Sequence, residues 1–152
     1  MAFALILFLV VFSAQPSMRE EYKKAVDKNI SAILGDGELK ILRADSGKEY
    51  YSFNPAEGEK ITSVVLSSAK GRFENYDYMI IINPENEIID IKILKYRSEY
   101  GYEISNKGWL KQFYNKPGTR FEYRKNIDAL SGATFSAQSL VNDINLIIDS
   151  LK

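Results

Sequence analysis

The spacing of apolar residues changes several times along the chain, and each change marks an element. Residues 1–11 are almost wholly apolar and show no period. Ser17-Met18-Arg19-Glu20 then reads as a capping box, with Ser at the N-cap and Glu three positions later. Behind it Met18, Tyr22, Ala25, Val26, Ile30 and Ile33 fall on one helical face, and Gly35 with Gly37 supplies the stop. The period then shortens to that of strands, predicted over 39–42, 49–53 and 61–67. Residues 76–82 and 87–96 flank Asn83-Pro84-Glu85-Asn86 and predict a hairpin. In its second arm Ile89, Ile91 and Ile93 alternate with Asp90 and Lys92, which predicts one buried and one wet face. A short helix is predicted over 107–114. From Ala137 onward Leu140, Val141, Ile144, Ile147, Ile148 and Leu151 restore the spacing of an amphipathic helix. The sum is an α+β domain, a twisted and mostly antiparallel sheet packed with helices, behind an apolar leader.

The leader sets an expectation of place. A short apolar run followed by Phe12-Ser13-Ala14-Gln15-Pro16 has the form of a secretory signal with its cleavage zone, and it is too short to span a bilayer comfortably. No Lys or Arg precedes it, and cleavage after Ala14 would leave bulky Phe12 three residues back. Residues 1–14 therefore read as a signal peptide or an uncleaved anchor, and the domain as extracytoplasmic, whether secreted, periplasmic or membrane-associated. A mature chain would begin near Gln15. Residues 15–60 form a helix and strands with no assignable motif.

With 152 residues the chain suits one domain with a proper core. Its formal charge is zero, with Lys and Arg scattered among Asp and Glu, so no basic stripe exists to follow a nucleic-acid backbone and no nucleic-acid partner is expected. The chain has no His and no Cys. That excludes a Ser-His-Asp triad, a thiol nucleophile, a thiolate metal or iron–sulfur site, an axial haem His and a lipid-anchored cysteine. Redox chemistry here would need a borrowed cofactor.

The most informative segment is Asp128-Ala129-Leu130-Ser131-Gly132-Ala133-Thr134-Phe135-Ser136. Gly132 and Ala133 keep the surroundings of Thr134 clear, and the helix that follows places its hydroxyl in or just before a first turn. Free N–H groups and the helix dipole there favour an anion such as a phosphate. Asp128, Ser131 and Thr134 would also serve as ordinary N-caps. The Asp, the Ser-Gly-Ala-Thr run and Ser136 together resemble the flavinylation signature of the FMN-binding domain family, which includes flavoprotein subunits of the Rnf complex and of the sodium-pumping NADH:quinone reductase. The resemblance covers residues 61–152. It implies FMN attached through its phosphate to Thr134, delivered from FAD by a flavin transferase, with Asp128 serving recognition or the transfer chemistry. It also implies an electron carrier with a redox partner protein, soluble or membrane-bound.

The tyrosine-rich stretch 96–114 is the second candidate. In the resembled family a loop of this kind approaches the flavin ring and leads into a helix carrying Trp and Phe. Glu99, Gly101, Trp109 and Phe113 match that outline, whereas Tyr100, Tyr102 and Glu103 depart from it. Tyr100, Tyr102 and Trp109 have the rings to stack on or edge an isoalloxazine, and Glu99 the carboxylate to meet its polar rim; the same aromatics would equally pack a core. Without a flavin, the stretch would make this a secreted binding module for a ligand or protein. Lys70-Gly71-Arg72, with Lys111, Lys116, Arg120 and Arg124, offers positive charge near a phosphate or an acidic partner, or plain surface.

Overall fold

The structure, a computed structural model, describes residues 17–58 and 60–152. The leader expectation for residues 1–14 lies outside them. Among the described residues no helix is long and apolar enough to cross a membrane.

The chain opens with α1 (Met18–Glu21) and α2 (Lys23–Leu34), separated by a break at Tyr22. Ser17 Oγ accepts from the Glu20 amide as the capping motif predicts. Two further amides at this end, those of Met18 and Arg19, donate to the carboxylate of Glu49 from the sheet. Val26, Ile30 and Leu34 carry the apolar stripe of α2, so Leu34 and not Ile33 turns inward; Ile33 is exposed. Gly35, at φ +79°, ends the helix, and Gly37 already belongs to a strand.

Five strands follow as an antiparallel meander in chain order: β1 (Gly37–Asp45), β2 (Lys48–Pro55), β3 (Thr62–Lys70), β4 (Asn75–Ile82) and β5 (Ile88–Lys95). The β4–β5 turn is the predicted one. Asn83 Oδ1 accepts from the amides of Glu85 and Glu87, and Asn86 takes φ +60°. Side chains of β3 and β4 alternate strictly between two cores. Val64, Leu66, Met79 and Ile81 pack with α1–α2, while Val65, Ala69, Tyr76, Tyr78, Ile80 and Ile82 pack on the other face. The expectation of one wet face on β5 is therefore corrected. The register slips between Ile81 and Ile82, so Ile89 is the extra residue of a bulge and faces α2, whereas Ile91 and Ile93 face the opposite core. Asp90 is half-buried, accepting from Asn29 and Tyr114, while Lys92 stays exposed as expected. Burial beside that carboxylate pushes the Tyr114 hydroxyl up to about 12.

The second core is closed by α4 (Thr134–Ser150) and by the long connection from Tyr96 to Ala133. Leu140, Val141, Ile144, Ile147 and Ile148 are buried as their spacing predicts, with Leu151 packed beside them. Within the connection, α3 (Lys107–Leu110) runs into a 3₁₀ turn at Lys111–Phe113, which together fill the predicted helix 107–114. Where regular structure stops, side chains satisfy the backbone. Asn145 of α4 bonds both the amide and the carbonyl of Phe121, which pins the middle of the connection to the helix.

Candidate functional site

The helix α4 starts without a side-chain cap. Ala133 is the N-cap residue, and it has no oxygen to offer the amides of the first turn. Thr134 is the first helical residue and is exposed. None of Asp128, Ser131 and Thr134 caps this helix, so the ordinary capping explanation for these residues does not hold. The positive end of a 17-residue helix is instead left open to solvent beside a free hydroxyl.

What positions that hydroxyl is a loop held by its backbone. The Asp128 amide donates to Gln112 Oε1 at 2.8 Å, and the Asp128 carbonyl accepts from Trp109 Nε1 at 2.8 Å. The Leu130 amide donates to the Tyr123 hydroxyl at 3.0 Å, and Ala133 closes a turn onto the Leu130 carbonyl. Gly132 sits at φ +85°, with the Glu103 carboxylate so close that a Cβ there would lie 2.6 Å from Oε1. A side chain at 132 is thus opposed by backbone conformation, while the exposed Glu103 carboxylate could swing aside. Asp128 and Ser131 are exposed on this rigid loop.

A cleft of about 540 Å³ opens over the start of α4, lined by Gly132, Ala133, Thr134, Phe135, Ser136, Gln138, Arg72, Tyr100 and Gly101. The structure thus brings the Gly132–Ser136 part of the motif and the Tyr100–Gly101 part of the loop into one wall. Ser136 is buried beneath it and ties three segments together. Its Oγ lies 3.1 Å from the Tyr96 hydroxyl, and its carbonyl accepts from the Tyr76 hydroxyl at 2.7 Å. Burial, with Tyr96 and Asp143 nearby, raises the Tyr76 hydroxyl well above its ordinary value, so it stays a donor. The Tyr96 hydroxyl also bonds the Tyr100 carbonyl at 2.7 Å, and a Cβ on Gly101 would lie 2.4 Å from that same hydroxyl. The loop is held from below while its side chains stay outside.

The aromatic candidates divide. Tyr100 lines the cleft and stands 6.1 Å from Phe73, ring centre to ring centre; Tyr102 lies outside the lining, edge-on to Tyr96. Tyr100, Tyr102, Phe73 and Phe135 are each more than half exposed. Trp109 is a core residue, stacked edge-on against Phe113, and it reaches the site only by holding the Asp128 carbonyl. Glu99 is exposed and does not line the cleft. Of the basic residues named from sequence, Arg72 alone lines it. Sequence reading missed Phe73 and Phe135. Their signal was a bulky apolar residue among polar or small ones, Arg72-Phe73-Glu74-Asn75 and Ala133-Thr134-Phe135-Ser136.

The loop of Tyr100 is anchored at its root. Arg97 bonds Asp77 Oδ2 and the Asn75 carbonyl, while Tyr22 and Ser68 also donate to Asp77. Burial alone would raise the Asp77 carboxyl, but these donors, with Arg97 foremost, hold it below the usual carboxylate range. On the far side α4 is fixed to the sheet by Asp143, which accepts from Ser67 and Tyr78 and pairs with Lys48 at 2.7 Å.

The cleft volume lies within the range of about 300–1,000 Å³ usual for small-molecule and cofactor sites. Its mixture of exposed rings, one guanidinium, a free hydroxyl and open helix amides suits a ligand with an aromatic plane at one end and an anion at the other. Among known proteins, the model of the FMN-binding domain matches residues 73–149. No curated protein matches the chain.

Proposed function

The chain belongs to the FMN-binding domain family, and on that premise we propose that it is an exported electron-transfer flavoprotein whose FMN is joined by a phosphoester to Thr134. The observation that carries this reading is the exposed Thr134 hydroxyl at the uncapped start of α4, in the wall of a cleft of about 540 Å³. A phosphate attached there would meet the first-turn amides and the positive end of the helix. The planar ring would meet Tyr100 and the neighbouring exposed rings. FMN supplies one- or two-electron transfer; the chain's part is to hold and present it.

Attachment would be the work of a flavin transferase. The Thr134 hydroxyl replaces AMP on the flavin-side phosphate of FAD, forming one P–O bond and breaking another, and AMP and a proton are released. Exposure of Asp128 on the same loop, its backbone held by Gln112 and Trp109, leaves its carboxylate accessible to the transferase. The redox partner, soluble or membrane-bound, would approach the aromatic side of the cleft.

Co-production with a flavin transferase, followed by intact-protein and peptide mass spectrometry, tests the attachment. The expected result is one FMN phosphoester on the peptide containing Thr134 and a yellow protein. A colourless, unmodified protein from cells whose transferase labels a control substrate would contradict it. The apolar leader supports export; N-terminal sequencing from the native host is expected to start near Gln15 or to place the chain at a membrane. An intact Met1 in the soluble cytoplasmic fraction would overturn that part.

A further inference from the structure

We propose that Arg72 is the cationic arm of this site, the side chain that pairs with the cofactor's phosphate and so fixes how the flavin lies in the cleft; this rests on the flavin reading above. Arg72 lies in the β3–β4 turn, just outside residues 73–149 matched by the family model. The turn is built against the start of α4. The Gly71 amide donates to the Glu74 carbonyl at 3.0 Å, and a Cβ on Gly71 would lie 2.4 Å from that carbonyl oxygen. Glycine is thus what lets the turn close on Glu74, and Ser136 Oγ would lie at ordinary contact distance, 3.6 Å, from the same Cβ. One residue earlier the Lys70 amide donates to Ser139 Oγ of α4 at 3.0 Å. Arg72 is therefore delivered to the cleft by a backbone fixed to the same helix that carries Thr134.

Its charge is available. Arg19, Arg97 and Arg120 each pair with an aspartate, but Arg72 belongs to no ion pair among the described residues. Its guanidinium carbon stands 5.4 Å from the Phe73 ring centre, a contact that leaves the N–H groups free. Among the described residues it is the one cation lining the cleft. The Glu103 carboxylate lies against Gly132 and does not line the cleft, so Arg72 is the charged side chain of its wall. A phosphodiester on Thr134 would carry one negative charge and be drawn toward Arg72, whose planar fork of donors matches phosphate oxygens. Pairing there would hold the phosphate beside Phe73 and Tyr100, and so set where the flavin ring enters the cleft.

The test compares wild type, Arg72→Gln and Arg72→Lys, each co-produced with a flavin transferase. The readouts are thermal unfolding, extent of labelling, and the fluorescence anisotropy of the attached flavin at low and high salt. The expected result is an Arg72→Gln protein that folds and is labelled, yet shows lower anisotropy that salt no longer changes. Wild-type anisotropy should fall toward that value as salt is raised, with Arg72→Lys between the two. A folded Arg72→Gln protein that takes no flavin, beside a labelled Arg72→Lys, also supports the proposal, because charge is then what seats the phosphate. Wild-type anisotropy and salt response in a labelled Arg72→Gln would overturn it and leave the flavin reading standing. Loss of label from both variants alike would place Arg72 in transferase recognition, overturning it too. An unlabelled wild type is a different failure, that of the flavin reading itself.

Discussion

Thr134 owes its freedom to its neighbour: because Ala133 occupies the N-cap, the threonine hydroxyl has no capping bond to keep. Thr134→Val should therefore change stability by no more than about 0.5 kcal/mol, since Thr and Val have similar helix propensities and the position is exposed. Asp128 is separable in the same way, because its backbone and not its carboxylate holds the loop. Asp128→Ala is expected to melt like wild type in a thermal scan and to remain largely unlabelled; normal labelling would remove Asp128 from the site. These residues were legible in sequence because their geometry is local: small residues, a positive-φ glycine and a helix start are all written within nine positions. Ser136 was legible as part of the motif, but not as a buried link to Tyr96 and Tyr76, which lie 40 and 60 residues away. Arg72 had only a weak signal, since nothing local says which basic residue the sheet will carry to α4.

At the scale of elements, the aromatic loop shows how pattern and packing differ. Tyr100, Tyr102 and Trp109 look equivalent in a tyrosine-rich stretch, yet the helical turn at α3 buries Trp109 while the left-handed Gly101 turns Tyr100 toward the cleft. Tyr100→Ala should brighten the emission of the attached FMN and move its reduction potential, because a stacked ring quenches flavin emission. Tyr102→Ala should have the smaller effect on both. The Tyr100 backbone bonds to Tyr96 and Ser98 survive the change, so labelling yield should hold. Equal, unaltered emission and potential in both variants would return the loop to a packing role. Strands and helices were readable from period alone. The fate of β5 was not, since a single bulged residue, Ile89, reverses the face that its alternation assigns. For α2, positions 33 and 34 both continue the 26–30 stripe, and tertiary packing chose Leu34.

For the whole molecule, one sheet carries two cores, and the Asp77 cluster joins them to the site. Asp77 is buried in β4, takes donors from Tyr22 on the α1–α2 side, and receives Arg97 from the root of the Tyr100 loop. A carboxyl held below its unfolded value near 4 contributes stability that is fully present above that pH and is lost as pH falls through the folded value. Asp77→Asn should thus lower stability at pH 7 by about 1.5–3 kcal/mol, the range for losing hydrogen bonds to a charged group, since Arg97 keeps access to water. The deficit should narrow on acidification toward pH 3. Urea denaturation at the two pH values checks this, and a deficit that does not change with pH would mean the carboxylate is not held by its partners. Sequence offered an α+β sheet with helices, but a lone aspartate in an apolar strand gave no hint of partners 20 and 55 residues away.

The central claim, that the Thr134 hydroxyl carries the flavin, is tested most directly by in-gel fluorescence. Wild type and Thr134→Val are co-produced with a flavin transferase, denatured and separated, so that only covalent flavin survives. A fluorescent wild-type band beside a dark Thr134→Val band of equal protein amount, from a variant that melts like wild type, is the predicted result. Equal fluorescence in the two bands would show that the flavin is attached elsewhere and would contradict the assignment.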